Sequence, residues 1–355
     1  MESIKANNST IYFNDSGYPE LNSYIKKSNF SKIFILVDTN THKHCLPYFI
    51  ANIETDIVIE IIEIEAGEIH KTIDTCAGVW NSLSDLDADR KSLLINVGGG
   101  VVTDLGGFVA CTFKRGIEYV NVPTTLLSMV DASVGGKTGV DLGHLKNQVG
   151  VISSPDIIIV DTKFLGTLPQ NQMRSGLAEM LKHGLVSGTN YWNKFSNLEK
   201  LNLDDLDNLI HESVLIKKHV VDVDPFEQNL RKTLNYGHTL GHAIESYFLS
   251  HPEREELLHG EAIAIGMILA SFISTKLVGF PEDDTNAIKS LIKKYYGHVE
   301  IQSKEYEPII ELLKYDKKNV HGNINFVLLE AIGKPKIDCL VPDEIIIEAF
   351  KFYSA

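Results

Sequence analysis

The sequence predicts a two-domain chain of mixed class. Over the first half, short β-branched runs alternate with helix-like stretches; after about residue 162 the segments lengthen and carry apolar residues at three-to-four spacing. Strand–helix alternation builds a doubly wound sheet, and long amphipathic segments build a helical layer. The expected fold is therefore a Rossmann-like α/β domain on a mainly parallel sheet over residues 1–162, then a mainly α-helical domain over residues 163–355. A chain of 355 residues with 44% hydrophobic and 23% charged side chains is long enough for two such cores.

The expected strands are "FILVD" (34–38), "DIVIEIIEI" (56–64), "SLLINV" (92–97), "EYVNV" (118–122) and "DIIIV" (156–160). These runs suit parallel strands covered on both faces. "KTIDTCAGVWNSLSDL" and "DLGGFVACTF" read as helices between them. "DTKFLGTLPQ" is rich in turn residues and marks the boundary. Beyond it, "LPQNQMRSGLAEMLKHGLV", "LDDLDNLIHESVLIKKHVVDV", "LRKTLNYGHTLGHAIESYFL" and "GEAIAIGMILASFISTKLV" read as helices, and only "INFVLLEAI" as a strand.

The net charge of −14 repels nucleic acid and anionic membranes, so a local cluster of Lys and Arg needs its own reason. No window is expected to supply the roughly 18–20 apolar residues of a membrane span, and no signal peptide is visible at the start. The four cysteines are scattered without a C-x-x-C pair, which suits a reducing compartment and a cytoplasmic protein.

"LLINVGGGVVTDLGGF" sets Gly98, Gly99 and Gly100 after a strand and before a helix, where backbone N–H groups can meet a pyrophosphate. The G-x-G-x-x-G fingerprint fails at Thr103, so a plain tight turn competes with a nucleotide site. "SVGGKTG" fails the phosphate-loop spacing, because Asp131 stands where the first glycine is required. It is then a glycine-rich loop presenting Lys137, followed by Lys146 and Asn147, to solvent or to an oxyanion.

In "RKTLNYGHTLGHAIE", Arg231, Asn235, His238, His242 and Glu245 fall on one stripe of an expected helix. The mixture has no lysine–glutamate ladder and reads as an active-site wall rather than a solvated face. Gly237 and Gly241 leave room near the backbone. His259 opens an apolar segment and by itself reads as a cap or core histidine; Glu179, with Lys182 and His183 after it, reads as a helix ion pair. Together Glu179, His238, His242 and His259 supply enough donors for a zinc-like site, and spacing does not choose three of the four.

"GGGVVTD", "FKRG", "VPTTLLSMVDASVGGKTGVD", "LKNQVG", "LAEMLKHG", "LRKTLNYGHTLGHAIE", "HGEAIAIGM" and "YDKKNVHG" occur in the order of the 3-dehydroquinate synthase family, which the chain resembles from about residue 34 past 320. The resemblance implies an NAD-binding α/β domain, a helical metal-binding domain, a homodimer and a divalent metal, usually zinc with cobalt as a substitute. It implies Glu179, His238 and His259 as metal ligands. His242, Glu227, Lys137, Lys182 and Asp131 would form the catalytic set, His242 and Glu227 in proton transfer and Asp131 where nicotinamide and substrate meet. Lys182, Lys217, Arg231, Asn235 and His242 would bind the substrate's carboxylate and hydroxyls. Lys137, Asn147, Arg115 (from the partner chain in dimeric relatives) and Lys317 or Lys318 would bind its phosphate. For NAD the matches are Asp38, Asn40, Glu68, Lys71, Gly98, Gly99, Gly100, Asp104, Thr124, Thr125, Asp131 and Lys146. The implied substrate is an anionic keto-sugar acid phosphate, which gives the lysines and arginines their local reason.

Three rivals are weighed. A sugar-phosphate cyclase for an inosose, a valiolone or an amino analogue would usually alter Lys217, Arg231 and Asn235, although an amino-substrate variant would keep them. A metal-dependent polyol dehydrogenase would need neither the "GGKTG…KN" loop nor Arg231. A non-catalytic nucleotide-binding module would not fill every polar position. Two departures from the family bear on loop geometry: Asp141 stands where many relatives have Asn, and "ESYFLSHPEREELLHG" is long.

Overall fold

The computed structural model describes residues 1–6, 9–143, 145–195, 203–251, 253–255, 257–313 and 324–355. The chain divides into two compact units, Met1–Pro169 and Gln170–Ala355.

In the first unit the elements are β1 Ile4–Ala6, β2 Ser9–Phe13, α1 Gly17–Ser28, β3 Ile33–Asp38, α2 Thr39–His44, α3 Leu46–Ala51, β4 Ile59–Ile64, α4 Ile73–Asp85, β5 Leu93–Gly98, α5 Gly100–Thr112, β6 Glu118–Pro123, β7 Lys137–Leu142, β8 Leu145–Ile152 and β9 Ile157–Val160. Seven strands form one sheet in the order β1-β2-β9-β6-β5-β3-β4. All neighbours are parallel except β1 and β2. The five expected strands are all present as one contiguous block with β4 at the edge, so the α/β reading holds. Strands β3, β5 and β9 are apolar along nearly their whole length because they are covered on both faces.

The core order β4-β3-β5-β6-β9 is the doubly wound order 2-1-3-4-5, whose direction reverses between β3 and β5. A crevice therefore opens at the carboxyl ends of those two strands, where Asp38 and Gly98 lie. Helix α5 packs tightly over β5: a Cβ on Gly106 would stand 2.0 Å from Asn96 Oδ1. The close helix–strand packing that the third fingerprint glycine usually provides is here supplied one turn later. That is how Thr103 can occupy the fingerprint position.

The glycine-rich loop needs correction. Lys137 and Lys146 belong to an antiparallel hairpin, β7 with β8. The many glycines and the polar-looking "GVDLGHLKNQVG" hid it from a reading based on β-branched runs. Strands β1, at the edge, and β2, beside it, are short and fall outside the expected runs.

The second unit contains α6 Gln170–Ser187, α7 Thr189–Trp192, α8 Leu203–Val223, α9 His238–Leu249, α10 His259–Val278, α11 Glu282–Tyr296, α12 Tyr306–Leu312, β10 Asn325–Ala331, β11 Lys334–Leu340 and α13 Asp343–Ser354. The mainly helical reading holds, with β11 as a strand beyond the expected one. Two expectations fail. The helix read across residues 231–245 is broken: Leu230–Asn235 is a tight 3-10 turn, Tyr236 is extended, and Gly237 has φ +78° before α9 begins. The room beside Gly237 and Gly241 is taken by α10. A Cβ on Gly266 would lie 2.0 Å from the Gly237 carbonyl oxygen.

Helix α10 also corrects the membrane reading. Over an 18-residue window it is apolar enough, by length and composition, for a span. It is apolar over most of its surface because α6, α9, α11, α13 and β10 pack around it; a helix buried on most faces needs no broad polar stripe.

Candidate active site

The first cluster lies at the sheet's carboxyl edge. Strand β5 ends at Gly98, and α5 starts at Gly100 with no side-chain cap, so its first N–H groups are open to an anion. Thr124 N–H donates to Gly98 O (3.0 Å), tying the end of β6 to the glycine run. Thr125 is bonded to Ser128 in the turn that follows. Asp131 sits half-buried in a single π-helical turn, Ser128–Ala132, a distortion frequent at functional sites. Asp38 ends β3 and uses Oδ1 to cap α2 by accepting from Thr41 N–H (2.8 Å); Asn40 follows it, exposed.

Around them a polar network forms. Lys71, only 3% exposed, donates to Asp104 Oδ2 (2.6 Å) and Asn147 Oδ1 (2.7 Å). Glu68 Oε1 lies 3.9 Å from Lys71 Nζ and 3.7 Å from Lys146 Nζ. Burial works against the Lys71 ammonium, but Asp104 and Glu68 outweigh it and hold it protonated. Asp141, the departure from the family pattern, accepts from the Asn147 backbone N–H (2.6 Å), and its own N–H donates to Lys71 O (2.9 Å). It pins the hairpin onto the Lys71 segment, and burial raises its carboxyl. Lys137 is exposed at the start of β7. Arg115 is exposed on a tight turn in which Lys114 (φ 48°), Arg115 (φ 70°) and Gly116 (φ 113°) are all left-handed, a run that costs on the order of 1–3 kcal/mol per non-glycine residue.

The second cluster is made by three helices. Glu179 on α6 is fully buried, and its Oε2 accepts from Lys182. Its Oε1 takes no hydrogen bond among the described residues. That oxygen lies 3.4 Å from His238 Nε2 and 3.5 Å from His259 Nε2. Donor atoms held roughly 2.1 Å from a tetrahedral ion stand about 3.4 Å apart, which is the spacing of each imidazole nitrogen from this carboxylate oxygen. The other ring nitrogens are engaged: His238 Nδ1 with Tyr236 O (3.2 Å) and His259 Nδ1 with Glu245 Oε2 (3.3 Å). Both contacts favour the tautomer with the proton on Nδ1 and a lone pair on Nε2.

Burial pushes the Glu179 carboxyl up, but Lys182, aided by His238, outweighs it and holds the group well below the ordinary range. Burial disfavours the His259 cation, yet Glu245 and Glu179 raise the imidazole to about 9. His242 is one turn beyond His238, its ring centroid 5.2 Å from His238 and 5.6 Å from His259. The three histidines also bring donor atoms within 4.8 Å of one another, so His242 adjoins the same point. Helices meet closely enough for this because Gly260 packs on α6: a Cβ there would lie 2.1 Å from Ser175 O.

The segment between α8 and α9 carries the remaining polar groups. Asp224 accepts backbone N–H bonds from Gln228 (2.9 Å), Asn229 (2.7 Å) and Arg231 (3.0 Å). Arg231 is buried and donates to Pro225 O (2.7 Å); Asn235 Nδ2 donates to Glu227 Oε1 (2.6 Å). Lys217 is buried on α8. Lys317 and Lys318 lie outside the described residues.

Of the residues named from the sequence, Glu68, Lys71, Asp104, Lys146 and Asn147 come together in the first unit, and Glu179, Lys182, His238, His242 and His259 in the second. Asp224 and the role of Glu245 were missed. An Asp-Pro step signals the turn at Asp224, and Glu245 stands on the helix face of the two histidines.

The sequence profile described as "3-dehydroquinate synthase N-terminal" matches residues 61–175, and that described as "3-dehydroquinate synthase C-terminal" matches residues 176–319. The 3-dehydroquinate synthase of Parabacteroides distasonis is 42% identical over 336 residues, 94% of each chain. That of Clostridium perfringens is 40% identical over 287 residues, covering 80% of this chain and 81% of the relative. Among solved structures, 2-deoxy-scyllo-inosose synthase complexed with carbaglucose-6-phosphate, NAD+ and Co2+ superimposes with a TM-score of 0.84 at 26% identity, covering 99% of each chain. With both profiles in sequence and relatives matched almost end to end, the chain belongs to the 3-dehydroquinate synthase family.

Proposed function

We propose how this chain divides the work of its family's reaction. That reaction converts 3-deoxy-D-arabino-heptulosonate 7-phosphate to 3-dehydroquinate and phosphate, by oxidation, phosphate elimination, reduction, ring opening and aldol closure. The observation that carries the assignment is the buried Glu179 Oε1, without a hydrogen bond among the described residues and facing two imidazole Nε2 atoms.

Glu179, His238 and His259 are the residues to hold a divalent metal, zinc or cobalt, which when bound polarises the substrate oxygen being oxidised. Asp38, Asn40, Glu68, Lys71, Gly98–Gly100, Asp104, Thr124, Thr125, Asp131 and Lys146 are the residues to hold NAD, which accepts a hydride and returns it in the same cycle. The doubly wound strand order supports this, because its reversal point adjoins Asp38 and Gly98.

Arg231, Lys182, Lys217 and Asn235 bind the carboxylate and hydroxyls. Arg231 suits a carboxylate because a guanidinium can donate two parallel hydrogen bonds. Lys137, Asn147, Arg115 and one of Lys317 and Lys318 bind the phosphate. His242 and Glu227 move protons. Asn235 donates to Glu227 and so restricts where that carboxylate points. Lys182 does two jobs in this scheme, neutralising Glu179 and reaching substrate. In classification the chain is a carbon–oxygen lyase acting on a phosphate. A cytoplasmic homodimer is proposed with it: the exposed Arg115 on its strained turn supports a residue lent to a partner subunit, and the free cysteines support a reducing compartment.

The deciding assay supplies the purified protein with NAD, zinc and the heptulosonate phosphate. Phosphate and carbocycle are expected in equal amounts, with no net NADH. Net NADH from glycerol, without a carbocycle, would instead establish a polyol dehydrogenase.

A further inference from the structure

We propose that Glu245 is a positioning residue for the metal site, acting through His259. The inference rests on the reading of Glu179, His238 and His259 as the metal ligands. Glu245 lies on α9 and is 5% exposed, among Ala243, Ile244, Tyr247 and Phe248, all buried. A carboxylate in such surroundings is costly unless paired and hydrogen-bonded. Its Oε2 lies 3.3 Å from His259 Nδ1, and His259 is the first residue of α10. The imidazole is therefore held between two carboxylates from different helices, Glu245 at Nδ1 and Glu179 at Nε2.

This arrangement has two consequences. The bond at Nδ1 fixes the proton there, so that the neutral ring, the form that binds a metal, directs its Nε2 lone pair toward Glu179 Oε1. A carboxylate acceptor also makes the ring a better donor than a neutral acceptor does. The two histidines differ in this respect, since His238 Nδ1 lies against the backbone carbonyl of Tyr236 (3.2 Å). The Tyr236 carbonyl is backbone and stays when that side chain is changed, whereas the carboxylate at His259 can be altered by substitution. The same carboxylate joins α9 to the start of α10, so it sets both the tautomer and the place of the ring.

The test uses the full chain, stripped with a chelator and titrated with Co2+ in a competition assay, with the visible absorption of bound cobalt as a second readout. Glu245→Gln keeps an acceptor oxygen and loses the charge; it is expected to weaken Co2+ binding about tenfold, and Glu245→Ala about 100-fold. NAD affinity should stay at the parent value in both. In a His259→Ala background, Glu245→Gln should change Co2+ affinity by less than about twofold, because its effect passes through the missing ring. A purely structural role would lower the melting temperature and leave affinity and cobalt spectrum in place, which would overturn the proposal. So would equal effects of Glu245→Gln with and without His259. If His259→Ala itself keeps full metal affinity, the ligand assignment falls and this inference with it. Should Glu245→Ala not fold, the isosteric Gln variant decides alone.

Discussion

The crevice at the end of β3 and β5 and the ligand cluster of α6, α9 and α10 bring charge into buried places by different means. In the first, backbone does most of the work: a strand order that reverses, a glycine run and an uncapped helix start. The side chains there form a polar network that still reaches water, with Asp104 18% exposed beside Lys71. In the second, side chains do the work. Glu179, Lys182, His238 and Glu245 come from different turns and helices and are buried, with one carboxylate oxygen directed at two imidazoles. The first region should tolerate loss of single side chains and resist changes of backbone path. The second should fail when one donor is removed.

The sharpest way to break this contrast is to separate His238 from His242. His238→Ala removes one of the three converging donors. It should abolish metal retention, measured by elemental analysis after dialysis, and reduce turnover by on the order of 10³-fold or more. His242→Ala should keep the metal at parent stoichiometry and lose about 10²–10⁴-fold in kcat, the usual worth of a proton-transfer group. Equal loss of metal in both would mean that the three histidines, whose donor atoms lie within 4.8 Å, form the site instead.

How much of this was legible beforehand follows from the same difference. The strands of the first unit were readable because fully covered strands are continuous apolar runs, and the glycine run because its function is local. The hairpin of β7 and β8 was not, since its sequence is glycine-rich and polar. In the second unit, helices were readable by period, yet the break at Gly237 was not. It depends on Met267 and Gly266 of α10 occupying the space beside that backbone. The choice among Glu179, His238, His242 and His259 lay beyond spacing for a related reason. Donors on three helices meet only through tertiary packing, which periodicity does not show.

The next contrast concerns two buried lysines. Lys182 is 1% exposed and neutralises a Glu179 with no exposure, whereas Lys71 is paired with a partly exposed Asp104. Removing one partner of a buried pair costs about 3–5 kcal/mol. Lys182→Ala should lose that much stability in urea unfolding of the metal-free protein, and Lys71→Ala distinctly less. The pH dependence gives a sign as well as a size. Glu179 is held below its ordinary value of 4.5, so its stabilisation is complete above that pH and is lost as pH falls through the folded-state value. In Lys182→Ala the largest opposing charge is gone, and burial then raises the carboxyl. The metal-free variant should gain stability as pH falls toward 4.5 from above, where the parent is unchanged, and should lack the loss the parent shows below 4.5. A parallel fall in both proteins would show that Lys182 is not what holds Glu179 ionised.

The smallest expected effect compares two close approaches. A Cβ at Gly106 meets the Asn96 side chain at 2.0 Å, whereas one at Gly266 meets the Gly237 carbonyl oxygen at the same 2.0 Å. Asn96 can turn away from Gly106→Ala at the expense of its bond to Asn121 (2.9 Å), an overpacking cost of about 1–3 kcal/mol. The Gly237 carbonyl cannot turn, because it accepts the N–H of Gly241 (2.9 Å) and its own residue is left-handed. In Gly266→Ala the two helices must part, and His238, next in sequence to Gly237, moves with α9. Gly266→Ala should therefore destabilise at the upper end of that range and weaken Co2+ binding, while Gly106→Ala leaves Co2+ binding at the parent value. If Gly106→Ala weakened Co2+ binding as much as Gly266→Ala, helix spacing within the second unit would not be what sets the ligand geometry.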